Sequence, residues 1–192
     1  EIIDTVAGYI SENKIKIPLI VDPVMVATSG AVLLQKKAIY TLMNKLIPQA
    51  EWITPNIPET EILASKKISC LDSMLDASKK CHEKFGVSTI VKGGHIKSKD
   101  GSKTDVVCVK NKIFLLQSPA IGVSSVHGTG CAFSAALTAF LAKGLSWQDA
   151  VKSAKKFIYL SIRDAVMPGK GIKGLNPKFS RSEKIPIRLV SV

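Results

Sequence analysis

Four strand ends or turns in this chain carry cation-holding or anion-holding residues. Asp22 follows "IPLIV", Asn56 and Glu59 follow "EWIT", Lys92 follows "STIV", and Gly128, Thr129, Gly130 and Cys131 open the helix-forming stretch "HGTGCAFSAALTAFLAKG". A carboxylate at a strand end suits a hydrated Mg²⁺, which keeps several waters and takes only one or two carboxylates. Glycines at a helix start let a ligand approach the backbone, and the N–H groups there, with the helix dipole, favour an anion such as phosphate. A lysine that terminates an apolar strand is suited to meet a phosphate. An acid, an amide-plus-acid pair, a lysine and an anion-binding turn together form the apparatus of phosphoryl transfer.

Each residue also has a plainer reading. Asp22 suits a turn before Pro23, Asn56 a helix cap ahead of Pro58, and Lys92 a solvated surface. "HGTGC" suits a tight turn into a buried helix, in which Cys131 is a small apolar residue.

The elements that must position these residues alternate along the chain. "EIIDTVAGYISENK" predicts a helix with Ile2, Ile3, Val6, Tyr9 and Ile10 on its packed face. "IPLIVDPV", "EWIT" and "STIVKGG" read as short buried strands, the first two bounded by prolines. "LLQKKAIYTLMNKLI" predicts a helix with Leu34, Ala38, Leu42 and Leu46 in line, stopped by Pro48. "LDSMLDASKKCHEKFG" predicts an amphipathic helix capped by Gly86. "GHIKSKDGSKT" reads as a polar loop, and "DVVCVKNKIFLLQS" as a hairpin around Asn111 and Lys112. Helix 130–143 carries apolar residues nearly all round and is expected to be buried on most sides. Ser146 caps a last helix that runs to about Ala165. Strands alternating with helices imply an α/β fold with a mainly parallel sheet covered on both faces. Ligands in such folds sit beyond the carboxyl ends of the strands, where the polar residues fall.

Composition excludes other classes. The 192 residues are 46% apolar, enough for one substantial core and a single domain. No apolar run is long enough to span a bilayer, and the start does not resemble a secretory signal. Cys70, Cys81, Cys108 and Cys131 lie far apart without a CxxC pair, which argues against zinc and suits reduced thiols in the cytoplasm. The net charge of +12 raises nucleic acid as a partner. However, the lysines are scattered, arginines occur only at 163, 181 and 188, and aromatics at 6% do not interleave with a basic stripe. A basic solvated surface is the expectation, with neither nucleic acid nor membrane as partner.

"DPVMVATSG", "LIPQAEWITPNIPETEIL", "VKGGH" and "HGTGCAFSAALTAFLAKG", in this order and spacing, resemble the hydroxymethylpyrimidine and phosphomethylpyrimidine kinases of thiamine biosynthesis, members of the ribokinase-like superfamily. The resemblance runs from about residue 1 to 176. It implies a three-layer α/β/α sandwich and an ATP- and Mg²⁺-dependent kinase. Such enzymes phosphorylate 4-amino-5-hydroxymethyl-2-methylpyrimidine and then its monophosphate, and commonly form homodimers. By the same resemblance, Gly128, Thr129 and Gly130 correspond to the anion hole for the transferring phosphoryl group. Cys131 stands where most of the superfamily has a catalytic aspartate and this family has cysteine. Lys92 corresponds to the phosphate-binding lysine, Asn56 joins it at the nucleotide, and Asp22 and Glu59 correspond to the magnesium shell. A cysteine at a helix N-terminus has a lowered pKa, which fits Cys131 as proton acceptor.

The sequence also departs from the family pattern. It begins at Glu1, and the opening quarter of a typical member, with its first sheet strand and much of the acceptor pocket, is expected to have no counterpart here. The chain thus reads as the C-terminal three quarters of one kinase domain, with 178–192 an unmatched tail. Ala120 falls where many members carry an arginine, and Val126 replaces a usual threonine. "MPGKGIKGLNPKF" only loosely resembles the family's glycine-rich C-terminal loop. A pyridoxine or pyridoxal kinase is the alternative enzyme, and a truncated non-catalytic remnant is the alternative of a different class.

Overall fold

A computed structural model describes residues 1–26, 31–94, 96, 101–122, 126–167, 169, 171, 173–178 and 183–192. The expected loop at 94–104 therefore lies partly outside the described residues, as do parts of "DPVMVATSG" and of the C-terminal glycine-rich stretch. The chain divides into two compact units, Glu1–Gly93 with Val106–Ile113, and Gly94–Asp105 with Phe114–Val192.

The first unit opens with helix α1 (Ile2–Glu12) and strand β1 (Ile20–Val21), followed by helix α2 (Lys36–Thr41). It continues through β2 (Trp52–Ile53), α3 (Ile57–Ala64), α4 (Leu71–Phe85) and β3 (Ser88–Val91). β1 pairs with β2 and β2 with β3, both parallel, in the register Ile20–Trp52–Ser88 and Val21–Ile53–Thr89. β4 (Lys103–Val109) runs antiparallel to β3, with Ile90 opposite Val107. The sheet is thus mixed, with its parallel strands where the apolar runs predict them. Met25, Ile47, Ile53, Leu63, Ala77 and Cys81 form the core of this unit. Gly86 caps α4 at φ 70°, the left-handed conformation that glycine adopts without strain.

Hairpin strands β4 and β5 (Lys112–Ser118) run through both units. Lys110 and Asn111 turn the hairpin with φ of 48° and 61°, one residue earlier than the sequence suggests. Positive φ at both central residues matches the twist of the flanking strands. The second unit adds β6 (Val126–His127), α5 (Thr129–Ala142), α6 (Trp147–Arg163), β7 (Lys173–Gly174) and β8 (Arg188–Ser191). β6 pairs parallel with β7, and β8 pairs antiparallel with β5 from Phe114 to Gln117. Ser146 caps α6 by accepting the Asp149 N–H at 3.2 Å. Leu116, Phe133, Leu137, Val151, Ala154 and Leu160 are buried here.

Three expectations change. α1 packs Ile3 and Ala7 inward and leaves Ile2, Val6 and Tyr9 exposed. Its apolar residues cover too wide an arc for all of them to meet one neighbour. The second helix starts only at Lys36, because the N–H groups of Leu33 and Leu34 donate to the Met25 carbonyl instead. It also changes to a π turn at Leu42–Leu46 and a 3₁₀ turn at Ile47–Gln49. Pro48 has no N–H and its ring crowds the carbonyl four residues back, so the regular ladder cannot continue. α5 is not buried on most sides: Phe133, Ser134 and Leu137 are buried, whereas Cys131, Ala135, Thr138 and Ala139 are exposed. Small side chains lose little when left in water, since burial energy scales with apolar area.

Candidate active site

Three short parallel strands, the first two bounded by prolines, bring three chain segments to one end of the first unit's sheet. Asp22 follows β1 directly, Thr54 follows β2, and Lys92 follows β3. The main chain fixes these ends to one another. Thr54 N–H donates to the Val21 carbonyl at 3.1 Å, and Lys92 N–H to the Pro55 carbonyl at 2.8 Å. Lys92 also forms a parallel bridge with Asn56.

This register places the Lys92 ammonium 2.9 Å from Asp22 Oδ1, with side chains 15% and 16% exposed. The Thr54 hydroxyl donates to the same oxygen at 3.2 Å and is itself fully buried. Asp22 and Lys92, 70 residues apart, thus meet at this end of the sheet.

Asn56 and Glu59 form a reciprocal cap at the start of α3. Asn56 Oδ1 accepts the Glu59 N–H at 2.9 Å, and Glu59 Oε2 accepts the Asn56 N–H at 2.8 Å. The plain reading of this pair as a helix cap is therefore realised. Glu59 does more than cap: its Oε1 accepts the Met25 N–H at 3.3 Å, tying the segment after β1 to α3. Burial pushes the Glu59 carboxyl above its usual 4.5. The Asn56 N–H, Lys92 and the Met25 N–H oppose that rise, and Asp22 adds to it.

In the second unit, Gly128 precedes α5 at φ 83°, a left-handed conformation strained for any other residue type. The helix ladder begins with Ala132 N–H donating to the Gly128 carbonyl at 3.0 Å. The N–H groups of Thr129, Gly130 and Cys131 therefore lie ahead of that ladder, at the positive end of the helix dipole. Cys131 is exposed on this first turn.

Sequence reasoning missed Thr54 and the Met25 main chain as partners of the acidic residues. Thr54 stands where "EWIT" ends, the same strand-end signal that singled out Asp22 and Lys92. It also missed a buried ion pair in the second unit, Lys155 on α6 with Asp105 on β4 at 2.6 Å. Among the described residues, no group of three or more His, Cys, Asp or Glu gathers as around a metal ion, and no helix is long and apolar enough to cross a membrane.

An acid and a lysine paired at the strand ends of one unit of an α/β fold, and a glycine-led helix start in the other, are each features that suit a phosphate. Residues 1–176 match the family model described as phosphomethylpyrimidine kinase, and the chain belongs to that family. A hydroxymethylpyrimidine/phosphomethylpyrimidine kinase of Haemophilus influenzae is 43% identical over 173 residues, covering 89% of this chain and 64% of the relative. The enzyme of the same name from Bacillus subtilis is 37% identical over 171 residues, covering 89% and 62%. The chain thus spans less than two thirds of the length of these relatives. Among solved structures, the pyridoxal kinase of Staphylococcus aureus in complex with AMP-PCP matches with a TM-score of 0.86 at 28% identity. That match covers all of this chain and 69% of the other. A phosphomethylpyrimidine kinase from Clostridium difficile matches with a TM-score of 0.69 at 32% identity, covering 82% and 62%.

Proposed function

We propose that this chain carries the phosphoryl-transfer site of a kinase that uses ATP to phosphorylate 4-amino-5-hydroxymethyl-2-methylpyrimidine and then its monophosphate. The observation that carries this reading is the Lys92–Asp22 pair at the ends of β3 and β1, in a chain of this family. Lys92 provides the point charge for the nucleotide phosphates. Asn56, whose Oδ1 is engaged in the cap, retains amide N–H donors for the same phosphates. Gly128, Thr129 and Gly130 form the anion hole for the charge that develops on the transferring group, and the φ of Gly128 makes that turn accessible to it.

The residues fit Mg²⁺ as the accompanying cation. Both contacts to Asp22 fall on Oδ1, so its second oxygen carries no bond among the described residues and is available as a donor. Mg²⁺ is commonly held by one or two carboxylates and substrate phosphates rather than by a protein cage. When bound, it would neutralise charge on the phosphates. Asp22 is the direct donor in this reading. Glu59, with both oxygens accepting main-chain N–H groups, lines the shell. Cys131 takes the proton of the acceptor hydroxyl or phosphate. The chain works in the cytoplasm, forms a homodimer and belongs to a single kinase domain.

The test is transfer of label from γ-labelled ATP to the hydroxymethylpyrimidine, its monophosphate and pyridoxal, offered singly and in competition. The reading expects the pyrimidines to be labelled with higher kcat/KM. The similarity to solved pyridoxal kinases supports the alternative, which pyridoxal as the better acceptor would favour. Nucleotide binding without transfer to any acceptor would favour a non-catalytic remnant. Cys131→Ala is expected to lower turnover by about 10² to 10⁴, the scale of a positioned general base, while leaving ATP affinity nearly unchanged.

A further inference from the structure

The amino ends of β1, β2 and β3 border a cavity of about 560 Å³, at the opposite end of these strands from Asp22 and Lys92. The main chain ties its walls together. Glu51 N–H donates to the Leu19 carbonyl at 2.8 Å, and Ser88 N–H to the Glu51 carbonyl at 3.0 Å. Ile15, Ile17 and Pro18 give the cavity an apolar side, with Ile17 74% exposed. Lys16 and Lys110 bring two ammonium groups to it, and Glu51 one carboxylate. Among the described residues, none of these three forms an ion pair.

The backbone around this cavity is held in conformations that lysine resists. Lys110 turns the β4–β5 hairpin at φ 48°, and Lys14, which leads into the wall formed by Ile15 to Leu19, stands at φ 49°. Glycine or asparagine is the unstrained choice at a helix end or hairpin of this kind, and a lysine there costs energy. His82, in the cavity wall, fixes the hairpin turn beside Lys110. Its Nε2 accepts the Asn111 N–H at 3.1 Å, and its Nδ1–H donates to the Val87 carbonyl at 2.7 Å. Strained residues persist where the surrounding structure over-determines them, and they cluster at ligand sites.

We propose that this cavity is a second ligand site, for a small organic anion with an apolar body. Lys16 and Lys110 meet the anionic group, and Ile15, Ile17 and Pro18 cover the apolar part. Two ammonium groups against one carboxylate leave the cavity net positive. Its volume falls in the range of small-molecule sites, roughly 300 to 1,000 Å³. Covering Ile17 adds a gain that scales with the apolar area removed from water, which an inorganic anion cannot supply. Glu51 repels a second anionic group and so favours a ligand with a single one. Lysine at the Lys110 turn is then accounted for, because glycine would relieve the backbone and forfeit the charge. The site shares no residue with the phosphoryl-transfer reading and stands whether or not that reading holds.

Calorimetric titration of the chain with phenyl phosphate tests this, with inorganic phosphate as the probe that lacks an apolar body. Wild type is expected to bind phenyl phosphate, and to bind inorganic phosphate at least about ten-fold more weakly for want of apolar area to cover. Lys16→Ala and Lys110→Gly are each expected to weaken phenyl phosphate about five-fold, the upper end for exposed charge pairs. Glu51→Gln is expected to tighten it. Glycine suits the φ of Lys110, so Lys110→Gly is expected to keep or raise the melting temperature while losing affinity. Thermal melts establish that each variant is folded, and Lys16→Ala decides the matter if Lys110→Gly is not. Lys92→Ala is expected to retain phenyl phosphate binding, which separates this cavity from the strand-end site. No binding by wild type overturns the proposal. So does binding that is abolished in Lys92→Ala but unchanged in Lys16→Ala and Lys110→Gly.

Discussion

Lys155 and Asp105 of the second unit meet at 2.6 Å with side chains 10% and 6% exposed, whereas Lys92 and Asp22 of the first meet at 2.9 Å with 15% and 16% exposed. Both are ammonium–carboxylate contacts at a sheet, and their surroundings set them apart. Lys155 projects from the middle of α6 onto β4, so its pair joins a helix to a strand within one unit. Lys92 and Asp22 stand at strand ends, among a buried hydroxyl, a helix N-terminus and a second carboxylate. An ion pair in the body of a fold fastens elements to one another. One at the ends of parallel strands sits where ligands bind in α/β folds, and the proposed function makes its partners exchangeable.

The largest effect expected from breaking this comparison is on stability. Asp105→Ala leaves Lys155 buried without its carboxylate and is expected to cost about 3 to 5 kcal/mol, the usual scale for half of a buried pair. Denaturant unfolding measures it. Asp22→Asn is isosteric and its site is more open, so its cost is expected to be clearly smaller in the same experiment. Equal costs would remove the distinction between a fastening pair and an exchangeable one.

Much of the first unit's site was legible because the chemistry follows strand ends directly. Asp22, Thr54 and Lys92 each come immediately after an apolar β-branched or aromatic run, and parallel pairing in register does the rest. Gly128 was legible for a similar reason, since a glycine ahead of a helix-forming run marks a turn. The Asp105–Lys155 pair was not, because nothing local in "KTDVVCV" or "VKSAKKFIYL" shows that two positions 50 residues apart will face each other. The packed face of α1 was misjudged because its apolar residues outnumber what one neighbour can cover. The π turn at Leu42–Leu46 was missed because Pro48 was read as ending a helix rather than distorting the turn before it. The strand Arg188–Ser191 lies beyond the family match and pairs with β5. Its short apolar run "IRLV" gave no hint of a partner.

The second prediction sharpens the comparison through pH. The raised pKa of Glu59 means that its ionisation opposes folding. Stability from this group is present below its unfolded value of about 4.5 and is lost as pH rises through the higher folded value. Relative to Glu59→Gln, which preserves the cap, wild type is therefore expected to gain stability on acidification across that window. Melting temperatures of the two proteins from pH 7 to pH 4 read the difference, and a relative loss by wild type in acid would contradict it.

The smallest expected effect is on cysteine chemistry, which probes the same contrast between enclosed and accessible groups. Burial pushes the Cys81 thiol up to about 12 and the Cys108 thiol up to about 11. Cys70 and Cys131 are exposed, and bonds from Ser73 lower the Cys70 thiol. Brief iodoacetamide treatment of the folded chain followed by peptide mapping is expected to label Cys70 and Cys131 and spare the other two. ATP is expected to protect Cys131 alone.

Replacement of Lys92 tests most directly the claim that the strand-end pair serves a ligand. Calorimetric titration of Lys92→Ala with Mg²⁺–ATP is expected to show a loss of about 1 to 3 kcal/mol in binding relative to wild type, the scale of a hydrogen bond to a charged group. Unchanged affinity in a folded Lys92→Ala would contradict the account and leave Lys92–Asp22 a fastening pair like Lys155–Asp105.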